Sequence, residues 1–149
     1  MTSPPRFTWQ DAWVFLALST YDTTPKPIDL AKIIEAGDIL NRAIFTLKEL
    51  QAGFSKLAEY GLITVEHDQI KISEDARKII HKVQQSKGGL FSMVDNALKR
   101  LNSPRLKLPS PIESKQSTFD FLTEENLDIA CKEYHKQFAS HMKKRKHPK

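Results

Sequence analysis

The chain has 149 residues, of which 40% are apolar, and its 23 Lys or Arg against 18 Asp or Glu give a formal net charge of +5. This length and composition predict one globular domain with appendages and leave little room for two enzyme-sized domains. The single cysteine, Cys131, excludes an intramolecular disulfide and an all-cysteine metal site, and it favours a reducing, cytoplasmic setting. No apolar run approaches the roughly 20 residues that span a bilayer, so no membrane contact is expected.

The N-terminal segment predicts two helices separated by a loop. Thr8 and Asp11 have the spacing of a capping box in front of a helix at 9–20, which is apolar nearly all round and is expected at the centre of a helical cluster. The loop covers 21–27. A second helix follows, and Ala36-Gly37-Asp38 is expected to interrupt or end it before a short helical turn.

The clearest local pattern lies in the middle of the chain. Thr46 and Glu49 form a second predicted capping box, and Gly61 is placed to end that third helix in the left-handed conformation. The apolar period then changes from about 3.6 to 2 over 63–72, which predicts a hairpin with its turn at His67-Asp68.

Three further helical patterns follow the hairpin. Ser73 caps the first of them, which closes a domain predicted at 1–83. The remaining chain is predicted as an additional helix at 84–102, a linker at 103–122, a C-terminal helix at 123–142 and a basic disordered tail at 143–149.

The predicted elements follow an order that is also found in a known protein family: three helices, the third ended by a glycine, then a hairpin and a fourth helix. The segment Leu57-Ala58-Glu59-Tyr60-Gly61-Leu62-Ile63 looks like an L-x-x-x-G-L-I recognition-helix ending, and Ser73-Glu74-Asp75-Ala76-Arg77 looks like a T-x-x-G-R motif, with Asp75-Ala76 in place of the usual glycine. Over 8–83 the chain thus resembles the winged helix-turn-helix domain of bacterial transcription regulators, broadly of the MarR and PadR groups. The resemblance implies a mainly α fold with a small β-hairpin and extra C-terminal helices. It also implies DNA-binding transcriptional regulation with the third helix in the major groove.

The candidate DNA contacts are polar or basic residues opposite the apolar stripe of the third helix, on the hairpin and at the basic end of the chain. They are Lys48, Gln51, Ser55, Lys56, Lys71, Lys143, Lys144, Arg145 and Lys146. Glu49 and Glu59 make the outer face of the third helix electrically neutral, so an ordinary solvated helix face is the alternative.

Charge is unevenly distributed along the chain. Residues 1–83 carry 10 Lys or Arg and 11 Asp or Glu, a net charge of −1, whereas 84–149 carry 13 and 7, a net charge of +6. The basic end is expected to bind phosphates without reading sequence; a nuclear-localisation-like patch and a solubilising end are the alternatives.

The predicted hairpin tip works against DNA binding. Its residues, Glu66-His67-Asp68-Gln69, bring two carboxylates to the position from which a wing would approach a phosphate. Winged helices also serve as protein-docking modules, so an interaction module that does not bind DNA specifically is the second functional hypothesis.

The C-terminal helix carries an apolar stripe that requires a partner. It either folds back on the domain or pairs with a second copy, and we expect a homodimer through Leu127, Tyr134, Phe138 and Met142.

No pattern indicates an enzyme. Gly88-Gly89 is expected to separate two helices rather than to hold a phosphate. Cys131 and His135 lie four residues apart on one helix face, but no third ligand is in register, so Cys131 is interpreted as a buried structural thiol. We expect no catalytic activity, no cofactor and no metal.

Overall fold

The computed structural model describes residues 6–86, 88–108 and 119–145. These residues form six helices and a three-stranded antiparallel sheet, so the predicted mainly α fold with a small β element is confirmed. The elements in chain order are α1 (Trp9–Ala17), β1 (Lys26–Pro27), α2 (Leu30–Asn41), α3 (Leu47–Glu59), β2 (Ile63–Glu66), β3 (Gln69–Ile72), α4 (Glu74–Gln85), α5 (Leu90–Leu101) and α6 (Glu124–Arg145).

Helix α1 is the centre of the core, as its all-round apolar sequence predicts. It packs against α2, α3 and α5, and each residue from Asp11 to Ala17 is buried. The predicted capping box is present, since Thr8 Oγ1 accepts from the backbone N–H of Asp11 and the Asp11 carboxylate accepts from the Thr8 N–H at 2.9 Å. The helix ends at Ala17 rather than near Thr20, because the backbone N–H groups that follow bond three residues back.

Helix α2 continues through Gly37, so the predicted interruption there is wrong. The missing side chain lets the Phe45 ring lie directly against the helix, and Trp13 Nε1 donates to the Gly37 carbonyl at 2.9 Å. The helix stops at Asn41 because Arg42 adopts a left-handed conformation with φ of 52°. The short helical turn expected after it does not form.

Helix α3 begins and ends at the predicted signals. The Thr46 hydroxyl and the Glu49 carboxylate exchange bonds with each other's backbone N–H at 3.2 and 2.8 Å. At the other end Gly61 has φ of 72°, and the Leu62 N–H donates to the Leu57 carbonyl at 2.9 Å. This is a Schellman motif, and it turns the chain directly into β2.

The predicted hairpin is present, but it belongs to a larger sheet. His67 and Asp68 have φ of 51° and 59°, as a two-residue type I′ turn requires. The sheet order is β1-β3-β2, because Lys26–Pro27 pairs with β3 where a loop was expected. A two-residue strand that ends in proline shows no alternation, so the pattern could not reveal it.

The chain after α5 returns to the core. Leu122 is buried, and Phe119 and Phe121 are partly buried against the core, so the described ends of the predicted linker are packed. Helix α5 lies against α1 and α4.

Helix α6 folds back onto α2. Leu127 and Tyr134 are buried within the chain, and Tyr134 Oη donates to Asp38 Oδ2 at 2.6 Å. Their assignment to a dimer interface is therefore wrong, because intramolecular packing already covers both side chains. Of the four predicted dimer residues, Phe138 is 54% exposed, and the side chain of Met142 lies outside the described part of the structure.

Helix α6 extends into the segment 143–149 that was predicted as a disordered tail. Helix α6 includes Lys143, Lys144 and Arg145 in its backbone, whereas Lys146 lies outside the described residues.

Candidate nucleic-acid interface

The outer face of α3 is the more exposed side of the helix in the described part of the chain. Its inner stripe, Leu50, Gly53, Phe54 and Leu57, is buried against the core. On the opposite side, the structure places the predicted contact residues at the surface: Lys48 and Gln51 are exposed, and Ser55 and Lys56 are half-buried. The small side chain of Ala52, exposed between them, allows another surface to approach the helix closely.

One flank of α3 is covered by a segment that the sequence patterns did not assign to the core. Gln51 Nε2 donates to the Leu122 carbonyl at 3.4 Å, so a predicted DNA contact has a hydrogen-bond partner within the chain although its side chain is exposed. The rings of Phe119 and Phe121 lie edge-on to Phe54, with centroids 5.6 and 5.5 Å away. The sequence did contain a signal for this packing, since Phe119 and Phe121 alternate with other residues in 119–122. The prolines and serines of 103–122 predicted a linker instead.

The other flank meets the N-terminal arm through Tyr60, the residue that follows α3. The guanidinium of Arg6 lies 5.9 Å from the centre of the Tyr60 ring, within the range of a cation–π contact. Its Nη2 also donates to the carbonyls of Leu101, Ser103 and Leu106 at 3.2, 3.3 and 3.4 Å. Arg6 therefore joins the end of α3 to the chain that leaves α5, a connection between distant residues that no sequence pattern indicated.

A second pair of bonds fixes the same connection. The Phe7 N–H donates to Asn102 Oδ1 at 2.8 Å, and Asn102 Nδ2 donates back to the Phe7 carbonyl at 2.9 Å. The Phe7 ring is fully buried and lies 5.1 Å from the Tyr60 ring. Two hydrogen bonds and this ring contact therefore connect the arm, the C-terminal turn of α5 and the end of α3.

The hairpin presents a mixed surface. Lys71 is exposed on β3, opposite Thr64 of β2. The tip from Glu66 to Gln69 is also exposed, so its two carboxylates face solvent without an ion pair among the described residues. Repulsion of a phosphate by this tip stays a prediction, and the exposure of both carboxylates is compatible with it.

Two features of the described residues concern metal and thiol chemistry. Among the residues it describes, no group of three or more His, Cys, Asp or Glu side chains could hold a metal ion. Cys131 is half-buried, and burial together with the nearby charge of Asp128 raises the pKa of its thiol above the ordinary value, which disfavours the reactive thiolate.

An open groove of about 850 Å³ lies between the start of α2 and α6. Its wall mixes Lys26, Asp29 and Glu133 with the exposed Ile129, so no converging set of polar groups defines a ligand. None of the helices in the described ranges is both long and apolar enough to cross a membrane.

Comparison of the chain with protein-family models, with curated proteins and with solved structures found no match, so the site stands on its own geometry.

Proposed function

We propose that the first half of the chain is a winged helix domain. Three helices precede the hairpin in the order that the resemblance implies, and α3 leads through its glycine stop directly into β2. The pairing of β1 with β3 supports the proposal further, since it ties the hairpin to the segment between α1 and α2 and holds it beside α3.

We further propose that this domain binds duplex DNA with the outer face of α3 in the major groove. The observation that carries the proposal is the contrast between the two sides of α3 in the described structure. Lys48, Gln51 and Ala52 are exposed, whereas the opposite stripe of Leu50, Gly53, Phe54 and Leu57 is buried. The helix has 13 residues and is therefore about 20 Å long, and the major groove, about 12 Å wide, admits a helix. Ser55 is placed to hydrogen-bond base edges, while Lys48 and Lys56 reach bases or phosphates.

The neutral charge of the outer face of α3 limits how strongly this face alone can bind DNA phosphates. Glu49 and Glu59 balance its two lysines, and Glu49 is held at the start of the helix by its capping bond to Thr46. Binding that depends on phosphate neutralisation needs further cations, and the basic end from Lys143 to Lys146 is our proposed additional source.

The test is fluorescence anisotropy of the full chain on mixed-sequence duplex DNA across a salt series. Lys48→Ala/Lys56→Ala is expected to lower the slope of log affinity against log salt by about two, because two phosphate or base contacts are lost. Lys78→Ala/Lys82→Ala on the exposed side of α4 removes the same charge elsewhere and is the matched control. Equal slopes in both variants would contradict the assignment of α3.

A protein-interaction module is the second candidate, and the acidic hairpin tip is the observation that favours it. Two exposed carboxylates beside a neutral helix face suit a partner less acidic than DNA. Absence of binding by the unmodified chain at low salt would support this candidate and reject the first.

A further inference from the structure

We infer that the segment from Lys99 to Lys107 is a phosphate-binding surface for the DNA backbone that runs beside α3. The inference rests on the proposed function and adds to it a second set of contact residues, none of which belongs to the winged helix pattern. Three observations carry the inference: where the segment lies, which charges it bears and which hydrogen bonds hold it in place.

The location follows from Arg6. Its side chain contacts the Tyr60 ring on one side and the carbonyls of Leu101, Ser103 and Leu106 on the other. The segment therefore lies at the C-terminal end of α3, on the side of Tyr60. A helix seated in the major groove has a phosphate strand along each of its flanks, so this segment is placed to meet one of them.

The charge of the segment is of one sign. Lys99, Arg105 and Lys107 are exposed and Arg100 is half-buried, and no Asp or Glu occurs between 99 and 107. The nearest acid on α5 is Asp95, one turn before Lys99, and its carboxylate accepts a bond from Trp9 Nε1 at 3.0 Å. The segment thus carries four cations within nine residues and no acid, which is the kind of charge density that releases counterions on binding a polyanion.

Hydrogen bonds from Arg6 hold the backbone of the segment in place. The guanidinium of Arg6 donates to carbonyls at the end of α5, where the helix dipole also favours a positive charge. Because these bonds occupy Arg6, it acts as a positioning residue and the exposed cations contact the phosphates. Arg100 is oriented as well, since its Nε donates to Asn96 Oδ1 at 2.9 Å.

The opposite flank of α3 has the opposite charge. There the Leu122 carbonyl accepts a bond from Gln51, and the segment from Phe119 continues into α6 with Asp120, Glu124 and Glu125 exposed and no Lys or Arg between 119 and 125. Among the described residues beside α3, the basic segment therefore lies on one flank and these three acidic side chains on the other. We expect a duplex on α3 to be displaced toward Tyr60, with one strand carrying most of the phosphate contacts.

The experiment compares Arg105→Ala/Lys107→Ala with the unmodified chain in the same salt series. Both side chains are exposed, so the variant is expected to fold, and thermal unfolding checks this. Loss of two phosphate contacts lowers the log-log slope by about two and weakens binding at low salt about tenfold or more. The control is Lys78→Ala/Lys82→Ala, which is expected to change the slope much less.

Failure of the inference is distinguishable from failure of the proposed function. If Lys48→Ala/Lys56→Ala weakens binding and Arg105→Ala/Lys107→Ala does not, the second surface is rejected and the role of α3 stands. If the α4 control loses as much slope as Arg105→Ala/Lys107→Ala, the effect is one of net charge and the surface is also rejected. If the unmodified chain does not bind DNA, both proposals fall.

Discussion

The absence of a side chain at Gly37 allows α2 to pack closely against the Phe45 ring. Gly37 is buried in α2 and faces the ring of Phe45, which itself lies 4.0 Å from the ring of Trp13. A Cβ at this position would overlap the Phe45 ring, with its Cζ only 2.7 Å away. Glycine is unfavourable in a helix interior by about 1 kcal/mol relative to alanine, and here close packing offsets that cost.

Gly37→Ala is therefore expected to destabilise the protein despite the higher helix propensity of alanine. Overpacking of a buried aromatic ring costs about 1–3 kcal/mol of unfolding free energy. Denaturant unfolding measures the loss, and Phe45→Leu supplies the second arm of a double-mutant cycle because a smaller side chain leaves room for the new methyl group. An equal loss in both backgrounds would show that Phe45 is not the cause.

Among the secondary-structure elements, the ones with strong end signals could be predicted. Capping boxes at Thr8 and Thr46, the Ser73 cap and the Gly61 stop depend on residues within a few positions of each other, so they are legible in a linear sequence. Strand β1 and the continuity of α2 depend on partners far along the chain, and a local pattern contains no information about them.

The docking of α6 on α2 is the clearest case of this kind. The apolar stripe of α6 predicted that the helix packs against a partner. The stripe itself does not distinguish the chain's own core from a second copy, and we expected a second copy. The structure places Tyr134 beside Asp38, and burial, with the hydrogen bond to Asp38 as the next cause, raises the pKa of Tyr134 to about 12. The bond requires the protonated phenol.

This contact makes the docking of α6 sensitive to alkaline pH. In the unfolded chain Tyr134 ionises near pH 10, so the stabilisation is complete below about pH 10 and is lost as the pH rises toward 12. Tyr134→Phe removes the bond and lowers the unfolding free energy at pH 8 by about 0.5–1.5 kcal/mol. Urea unfolding of both proteins at pH 8 and pH 11 is the measurement, and a constant difference between them would contradict the assignment.

Across the whole molecule, charge is arranged around α3 rather than on it. The helix face is neutral, the hairpin tip is acidic, one flank is basic through Lys99 to Lys107, and the other is acidic through Asp120 and the first turn of α6, which holds Glu124 and Glu125. The distribution along the sequence predicted only that the second half is basic. Which of those charges lie beside α3 depends on the return of the chain after α5 and on the contacts of Arg6.

The acidic hairpin tip gives a prediction for DNA affinity. Glu66→Gln/Asp68→Asn is expected to tighten binding several-fold at low salt, because two exposed carboxylates no longer repel the phosphates. The gain should disappear near 1 M salt, where the Debye length falls to about 3 Å. Salt-dependent anisotropy measures it, with Glu74→Gln/Asp75→Asn at the start of α4 as the matched control. An equal gain in the control would assign the effect to net charge.

The sequence by itself determined the helical class, the hairpin, the caps and the surface position of Lys48, Ser55 and Lys56, because periodicity and end signals act over a few residues. Only the tertiary structure decided that α6 folds back, that the segment at Leu122 packs beside α3 and bonds to Gln51, and that the arm at Arg6 joins α5 to α3. These contacts join residues more than 50 positions apart, where many apolar surfaces compete for the same partner. Which of these contacts form depends on how the side chains of the whole chain pack together, and a local sequence pattern does not contain that information.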